Sequence, residues 1–340
     1  MHNYPKFSKL DYTKPDPANW QGRTDNGDAL ARFFQIAQCQ SLDSFIASGS
    51  SVSAPTITLL GFSCDEGVRR NQGRVGAEKA PSKLRQALAN LPLHEKARQI
   101  KLLDVGDIKC PTGSVDNLEN AQIHLGHAVD ALLNKKTFPL ILGGGHETAW
   151  GHYLGLHKHL PSNMAIINFD AHFDMRPLLP NQQGSSGTPF LQIAEYRKAQ
   201  QLSFDYYCLG IKQSSNTQAL FDTASAWNVK YLTCDQMYQS ADNATHFIQK
   251  IIDTHDALYL SVCLDVFAAA FAPGVSACSP YGLAPWQVLP LLKQLAVSKK
   301  VIAFDVVELA PIYDKDDLTA KLGAQCIAEF LYHYEPFHLA

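Results

Sequence analysis

Ala165-Ile166-Ile167-Asn168-Phe169-Asp170-Ala171-His172-Phe173-Asp174 is a short apolar run that gives way at once to carboxylates and an imidazole at alternate positions. Residues i, i+2 and i+4 of an extended chain share a face, so Asp170, His172 and Asp174 converge where a buried strand would end. Similar β-rich runs recur at Thr56 to Phe62, Lys101 to Val105, Phe138 to Leu142, Tyr206 to Ile211, Val229 to Thr233, Ala257 to Leu264 and Val301 to Phe304. Many are apolar on both faces, the pattern of parallel strands covered by helices. Between them lie helical stretches such as 81–90, 118–134 and 284–297. In the last, Val288, Leu292 and Leu295 fall at i, i+4 and i+7, Pro285 suits a first helical position, and Pro290 is expected to kink or delay the helix. The alternation predicts an α/β fold, an open sheet or a barrel. In such folds ligands sit beyond the carboxyl ends of the strands.

The rest of the composition agrees. The chain has 340 residues, 46% hydrophobic and 18% charged, which excludes a disordered or collagen-like chain. Lys and Arg number 29 against 32 Asp and Glu, a net charge of -3 without a long basic run, so nucleic acid is not an expected partner and a small molecule is. Eight cysteines without a Cys-x-x-Cys pair argue against a zinc ribbon or a dense disulfide framework and fit reduced thiols in the cytoplasm. The start, Met1-His2-Asn3-Tyr4-Pro5-Lys6, lacks the apolar region of a signal peptide. Ala257 to Val275 carries one charge, Asp265, at its centre and ends in Pro273-Gly274, which reads as a buried strand and loop; no membrane partner is expected. Neither a repeat nor a low-complexity linker divides the chain. The expectation is one domain over 53–340, with residues 1–52 as an extension of coil plus one helix near Asp28 to Ala37, packed on the core.

Three further strand ends carry reactive side chains. Phe138 to Leu142 runs into Gly143-Gly144-Gly145-His146-Glu147, where the Gly-Lys-Ser/Thr of a phosphate loop is absent and the zincin pattern fails because position 150 is Trp. His146 alone reads equally as a turn residue or a metal ligand. Ala257 to Leu264 meets Asp265, with Cys263 two positions before it; these are a core thiol and a helix cap, or two more ligands. Val301 to Phe304 leads to Asp305-Val306-Val307-Glu308, whose Glu reads by itself as a surface residue. Hard oxygens with imidazole at 170, 172 and 174 suit Mn²⁺ or a related divalent ion.

Taken together these motifs resemble the ureohydrolases, the superfamily of arginase, agmatinase and formimidoylglutamase. The resemblance rests on Gly143-Gly144-Gly145-His146-Glu147, Asp170-Ala171-His172-Phe173-Asp174, Ser261-Val262-Cys263-Leu264-Asp265 and Asp305-Val306-Val307-Glu308, and spans about residues 56–330. Asp65 to Asn71, Gly73-Arg74, Ser186-Gly187-Thr188-Pro189-Phe190 and Ala272 to Ala277 are most similar to formimidoylglutamase. The resemblance implies a single-domain, three-layer arginase-like fold with an eight-stranded parallel sheet and two Mn²⁺ per subunit. One ion would be held by His146, Asp170, Asp174 and position 263, the other by Asp170, His172, position 263 and Asp265. It also implies hydrolysis of N-formimidoyl-L-glutamate to L-glutamate and formamide, with Asp174 passing a proton to the departing amine and Glu308 pairing with the amidinium. The alternatives are another C–N hydrolase acting on a guanidino compound, or a metal-depleted descendant without activity. Oligomers occur in the family, so a homo-oligomer is a possible partner state.

One position departs from the family pattern. Cys263 stands where the ureohydrolases have a bridging Asp. Sulfur is soft and Mn²⁺ prefers oxygen, so the expectation is weaker loading of the second site or a shift toward Zn²⁺ or Fe²⁺. For the substrate's carboxylates, Arg176 is a candidate clamp, since a planar guanidinium matches a carboxylate with two parallel bonds. It could equally be a surface residue. Ser186 and Thr188 are weaker candidates for the same end, because Gly187 and Pro189 alone would explain a turn.

Overall fold

The computed structural model describes residues 11–24, 31–48, 55–110 and 117–337. Among the described residues ten strands form one open sheet: β1 (Tyr12–Thr13), β2 (Ala37–Cys39), β3 (Thr56–Ser63), β4 (Lys101–Lys109), β5 (Phe138–Leu142), β6 (Met164–Phe169), β7 (Asp205–Ile211), β8 (Lys230–Thr233), β9 (Ala257–Cys263) and β10 (Val301–Val307). Their order is β1-β4-β3-β5-β10-β9-β6-β7-β8, with β2 also on β4, so a barrel is excluded. The eight strands from β3 onward pair in parallel.

Burial follows the period of two that a pleated strand imposes. Leu59, Leu140, Ile167 and Leu260 face one apolar layer, and Leu60, Ile141, Ile166 and Tyr259 face the other. The first layer is closed by helices Ala80–Ala89, Ala241–Thr254, Pro285–Ala296 and Leu318–His333, the second by Asn117–Asn134, Thr148–Leu156, Pro189–Ala199 and Gln218–Ala226. Each fully buried Leu or Ile contributes roughly 1.5–3 kcal/mol, so burial in both layers stabilises the sheet between them. None of the helices of the described residues is long and apolar enough to cross a membrane.

Several sequence expectations change. The helix near Asp28 to Ala37 is not formed in its described part. Residues 33–35 make a single 3-10 turn, with the Gln35 side chain accepting from the Ala31 and Arg32 N–H groups, and 37–39 are strand β2; positions 28–30 lie outside the described residues. Pairing explains the switch: β2 runs along Leu102–Asp104 of β4, while β1 covers Asp107 and Ile108 of the same edge. Ladder bonds to an otherwise open edge outweigh weak helix propensity in so short a segment. A second element, the helix Leu42–Ala47 capped by Ser41, was not foreseen. Pro290 does not delay its helix, which runs unbroken through Pro285–Ala296. β10 continues to Val307, so Asp305 lies inside the strand and fully buried rather than beyond its end.

Four adjacent strands, β5-β10-β9-β6, occupy the centre of the sheet. Their registers bring Leu142 beside Val306, Val307 beside Cys263, and Phe169 beside Val262. The strand ends bearing His146, Glu308, Cys263 with Asp265, and Asp170 to Asp174 therefore lie side by side although His146 and Glu308 are 162 positions apart in sequence.

Candidate metal centre and substrate cleft

The turn after β5 works only because backbone approaches backbone. A Cβ at Gly144 would lie 1.7 Å from the Cys64 carbonyl oxygen, and the Glu308 N–H donates to the Gly144 carbonyl at 2.8 Å. Glycine permits that contact. The turn presents the His146 N–H to the Glu308 carboxylate at 2.8 Å and points the ring across the strand ends. Asp174 and Glu308 both take left-handed backbone (φ 47° and 69°), an uncommon conformation for residues with a Cβ that concentrates at functional sites.

Nδ1 of His146 lies 2.9 Å from Asp170 Oδ2 and 2.9 Å from Asp174 Oδ2, yet makes no well-aligned hydrogen bond to either. Nδ1 of His172 is 3.1 Å from Asp265 Oδ2 and 3.4 Å from Asp170 Oδ1, and Oδ1 of buried Asp265 has no hydrogen-bond partner among the described residues. Two sets of donor atoms each gather within 4.8 Å: His146, Asp170 and Cys263, and Asp170, His172 and Asp265. Buried donors that converge without satisfying one another fit divalent cations, and oxygen and imidazole predominate among them. Asp170 belongs to both sets. The Cys263 thiol belongs to one.

Electrostatics of the protein alone show the same crowding. Burial opposes charge on His146, but Asp170 and Asp174 raise its pKa well above the ordinary value; His172 is likewise raised, with Asp265 and Asp170 overcoming its burial. Against its own burial, Asp170 is held below the carboxylate range by the two histidines, whereas Asp174 is raised by burial and by the Asp170 charge. Burial also pushes the Cys263 thiol far up, reinforced by Asp170, Asp265, Glu308 and Asp174. Glu308 is raised by burial and then by Asp265 and Glu147.

Behind His146 lies a buried polar relay. Its Nε2 is 3.0 Å from Ser261 Oγ, which donates to Asp305 Oδ1 at 2.6 Å; Tyr259 OH donates to Asp305 Oδ2, and His152 Nδ1 is 2.8 Å from that same oxygen. With its proton given to Asp305, the Ser261 oxygen accepts from His146 Nε2–H. A cation that displaces the Nδ1 proton would then meet its lone pair among the carboxylates, the orientation a metal-bound imidazole needs.

In front of the donors opens a cleft of about 290 Å³. His172, Asp174, Asp265 and Glu308 line it, together with Arg176 and Ser186. The Arg176 guanidinium has no hydrogen-bond or ion-pair partner among the described residues, and its stem lies against Gly187, where a Cβ would come within 2.8 Å of Arg176 Cδ. Thr188 is placed differently from expectation: its hydroxyl is buried, bonded to the Ser185 backbone at 2.9 and 3.0 Å and to Gln192 at 2.8 Å, so it shapes the turn instead of lining the cleft. Sequence reasoning gave no role to Asn71, Arg74 and Ser276, which also line the cleft. Asn71, Gly73-Arg74 and the 272–277 segment were nonetheless among the motifs similar to formimidoylglutamase.

The arginase-family sequence profile matches residues 55–333. The chain belongs to the arginase family. Among curated arginase-family relatives, a formimidoylglutamase of Geobacillus sp. (strain WCH70) is 42% identical over 326 residues, covering 95% of this chain and 97% of its own. A formimidoylglutamase of Legionella pneumophila (strain Lens) is 40% identical over 321 residues, covering 94% and 97%. Of solved structures, formimidoylglutamase from Bacillus subtilis aligns with TM-score 0.77 at 23% identity over 91% of this chain and 95% of that one. A Trypanosoma cruzi formiminoglutamase with Mn²⁺ aligns with TM-score 0.75 at 23% identity over 86% and 98%. The arginase-like α/β fold, single-domain with a mostly parallel central sheet, is therefore shown for this chain.

Proposed function

We propose that this arginase-family chain is a metal-dependent hydrolase that converts N-formimidoyl-L-glutamate to L-glutamate and formamide. The observation that carries the reading is the division of charge in the cleft: Asp174, Asp265 and Glu308 at the donor end, arginine side chains on the walls. A substrate with a cationic amidine at one end and two carboxylates at the other matches that division. The curated relatives, named formimidoylglutamase at about 40% identity over most of the chain, support the same substrate.

His146, Asp170, Asp174 and Cys263 would hold one divalent ion and Asp170, His172 and Asp265 the other, with Mn²⁺ suited to so oxygen-rich a set. When bound, such ions supply the Lewis acidity that makes water a nucleophile near neutral pH. Glu308, fixed by the His146 N–H, pairs with the amidinium and presents its carbon. Water oxygen adds to that carbon, the bond from carbon to the glutamate nitrogen breaks, and the carbon leaves in formamide. Asp174 accepts a proton from the water and returns it to the departing nitrogen. Arg176 holds a carboxylate by a two-point contact, and Ser186 lines the same wall. All eight cysteines are unpaired, which suits a reducing cytoplasmic setting.

Turnover of formimidoylglutamate, agmatine, arginine and guanidino acids by protein loaded with each candidate metal tests the reading. Hydrolysis of formimidoylglutamate above the others is the expected result. Preference for a guanidino compound would replace the substrate, and absence of both metal uptake and turnover would make the chain a non-enzymatic descendant.

A further inference from the structure

Arg74 stands on the cleft wall in a turn built to hold its side chain. Its backbone N–H donates to Ser276 Oγ at 2.8 Å, Nε to the Ser276 carbonyl at 2.9 Å and Nη2 to the Val275 carbonyl at 2.6 Å. The guanidinium carbon lies 4.2 Å over the ring of Tyr313. One edge of the guanidinium and one face are thus spent on fixing it. Nη1 and the second hydrogen of Nη2, the end that a carboxylate engages with two parallel bonds, have no partner among the described residues.

We propose that Arg74 is the second carboxylate clamp of the cleft, so that Arg74 and Arg176 together select substrates bearing two carboxylates. This rests on the formimidoylglutamate reading for the reaction, but its physical content is recognition of a dicarboxylate. A pinned guanidinium loses little side-chain freedom on binding, which makes its contact more favourable than that of a mobile surface arginine. Asn71 and Ser276, which share the cleft, are neutral and cannot replace that charge.

The test compares N-formimidoyl-L-glutamate with the formimidoyl derivatives of L-2-aminobutyrate, which lacks the side-chain carboxylate, and of 4-aminobutyrate, which lacks the α-carboxylate. Arg74→Met is expected to raise KM for formimidoylglutamate roughly 10- to 100-fold, the range for losing a charged hydrogen-bonded pair, with kcat little changed. With the analogue that lacks the carboxylate Arg74 holds, the effect disappears. Arg176→Met gives the mirror image on the other analogue, and Arg74→Lys, which keeps charge and stem, falls between wild type and Arg74→Met. Equal loss on all three substrates would overturn the proposal and make Arg74 a tie for the 275–276 loop, as would an unchanged KM for formimidoylglutamate. If the wild type hydrolyses none of them, the proposed reaction fails while the clamp is still decided by calorimetry with L-glutamate: affinity lost in Arg74→Met upholds it, affinity retained overturns it.

Discussion

The Ser261 hydroxyl donates to Asp305 at 2.6 Å, both residues being fully buried and 44 positions apart in sequence. That bond decides which nitrogen of His146 faces the carboxylates, because the Ser261 oxygen then accepts from Nε2. Partners of this kind fix the tautomer and ring orientation of a ligating histidine, and their loss lowers metal affinity. Asp305→Asn is expected to weaken Mn²⁺ binding roughly 10- to 100-fold, and Ser261→Ala to follow it. Equilibrium metal titration gives the constant; unchanged affinity in both variants would reduce the relay to packing.

Asp170 offers an oxygen to both donor sets and is fully buried. Asp170→Ala is therefore expected to abolish metal uptake and turnover together, while Asp265→Ala, which touches one set, leaves partial uptake. Elemental analysis of the purified variants separates the cases. Normal metal content in Asp170→Ala would remove this residue from the centre.

The unpartnered guanidinium of Arg176 gives a third expectation. Arg176→Ala raises KM for formimidoylglutamate by roughly 10- to 100-fold, as loss of a charged hydrogen-bonded pair does, and changes KM far less for an uncharged formamidine. Steady-state kinetics on both substrates decide, since equal effects would mark Arg176 as a structural residue.

Why some of this was legible in the sequence and some was not has a physical basis. Strands buried on both faces leave runs such as Phe138–Leu142, all five residues buried, that no surface segment imitates. Each ligand follows such a run directly, so Asp170, His172 and Asp174 stood out and the parallel sheet then carried His146, Asp265 and Glu308 to them. Arg74 was invisible as a cleft residue because its place depends on Ser276, 202 positions away. Thr188 misled because a hydroxyl in a Gly-Pro turn satisfies its own loop as readily as a ligand. The segment at 33–39 misled because local propensity says nothing about a vacant edge on β4.

Cys263 joins the donors His146 and Asp170 but not the set formed by Asp170, His172 and Asp265. A carboxylate can offer a hard oxygen to each of two ions, whereas a thiolate must bridge through one soft sulfur at a bond of about 2.3 Å even to Zn²⁺. The second set is thereby left short of a donor. Protein purified from Mn²⁺-supplemented cells is expected to hold fewer than two Mn²⁺ per subunit, and Cys263→Asp to raise both Mn²⁺ occupancy and activity. The same substitution adds a carboxylate to a buried site already holding Asp170, Asp174, Asp265 and Glu308. Without metal it should therefore lower stability by roughly 1–3 kcal/mol, the cost of a buried group left unpaired. Mn²⁺ should restore what was lost, because an ion that binds only the folded state stabilises it. Thermal unfolding of both forms with and without Mn²⁺, beside elemental analysis after reconstitution with Mn²⁺, Zn²⁺ or Fe²⁺, tests each part. Two tightly bound Mn²⁺ in the wild type would defeat the softness argument, and higher activity of the wild type with Zn²⁺ or Fe²⁺ than of Cys263→Asp would make the thiol a ligand tuned to that metal.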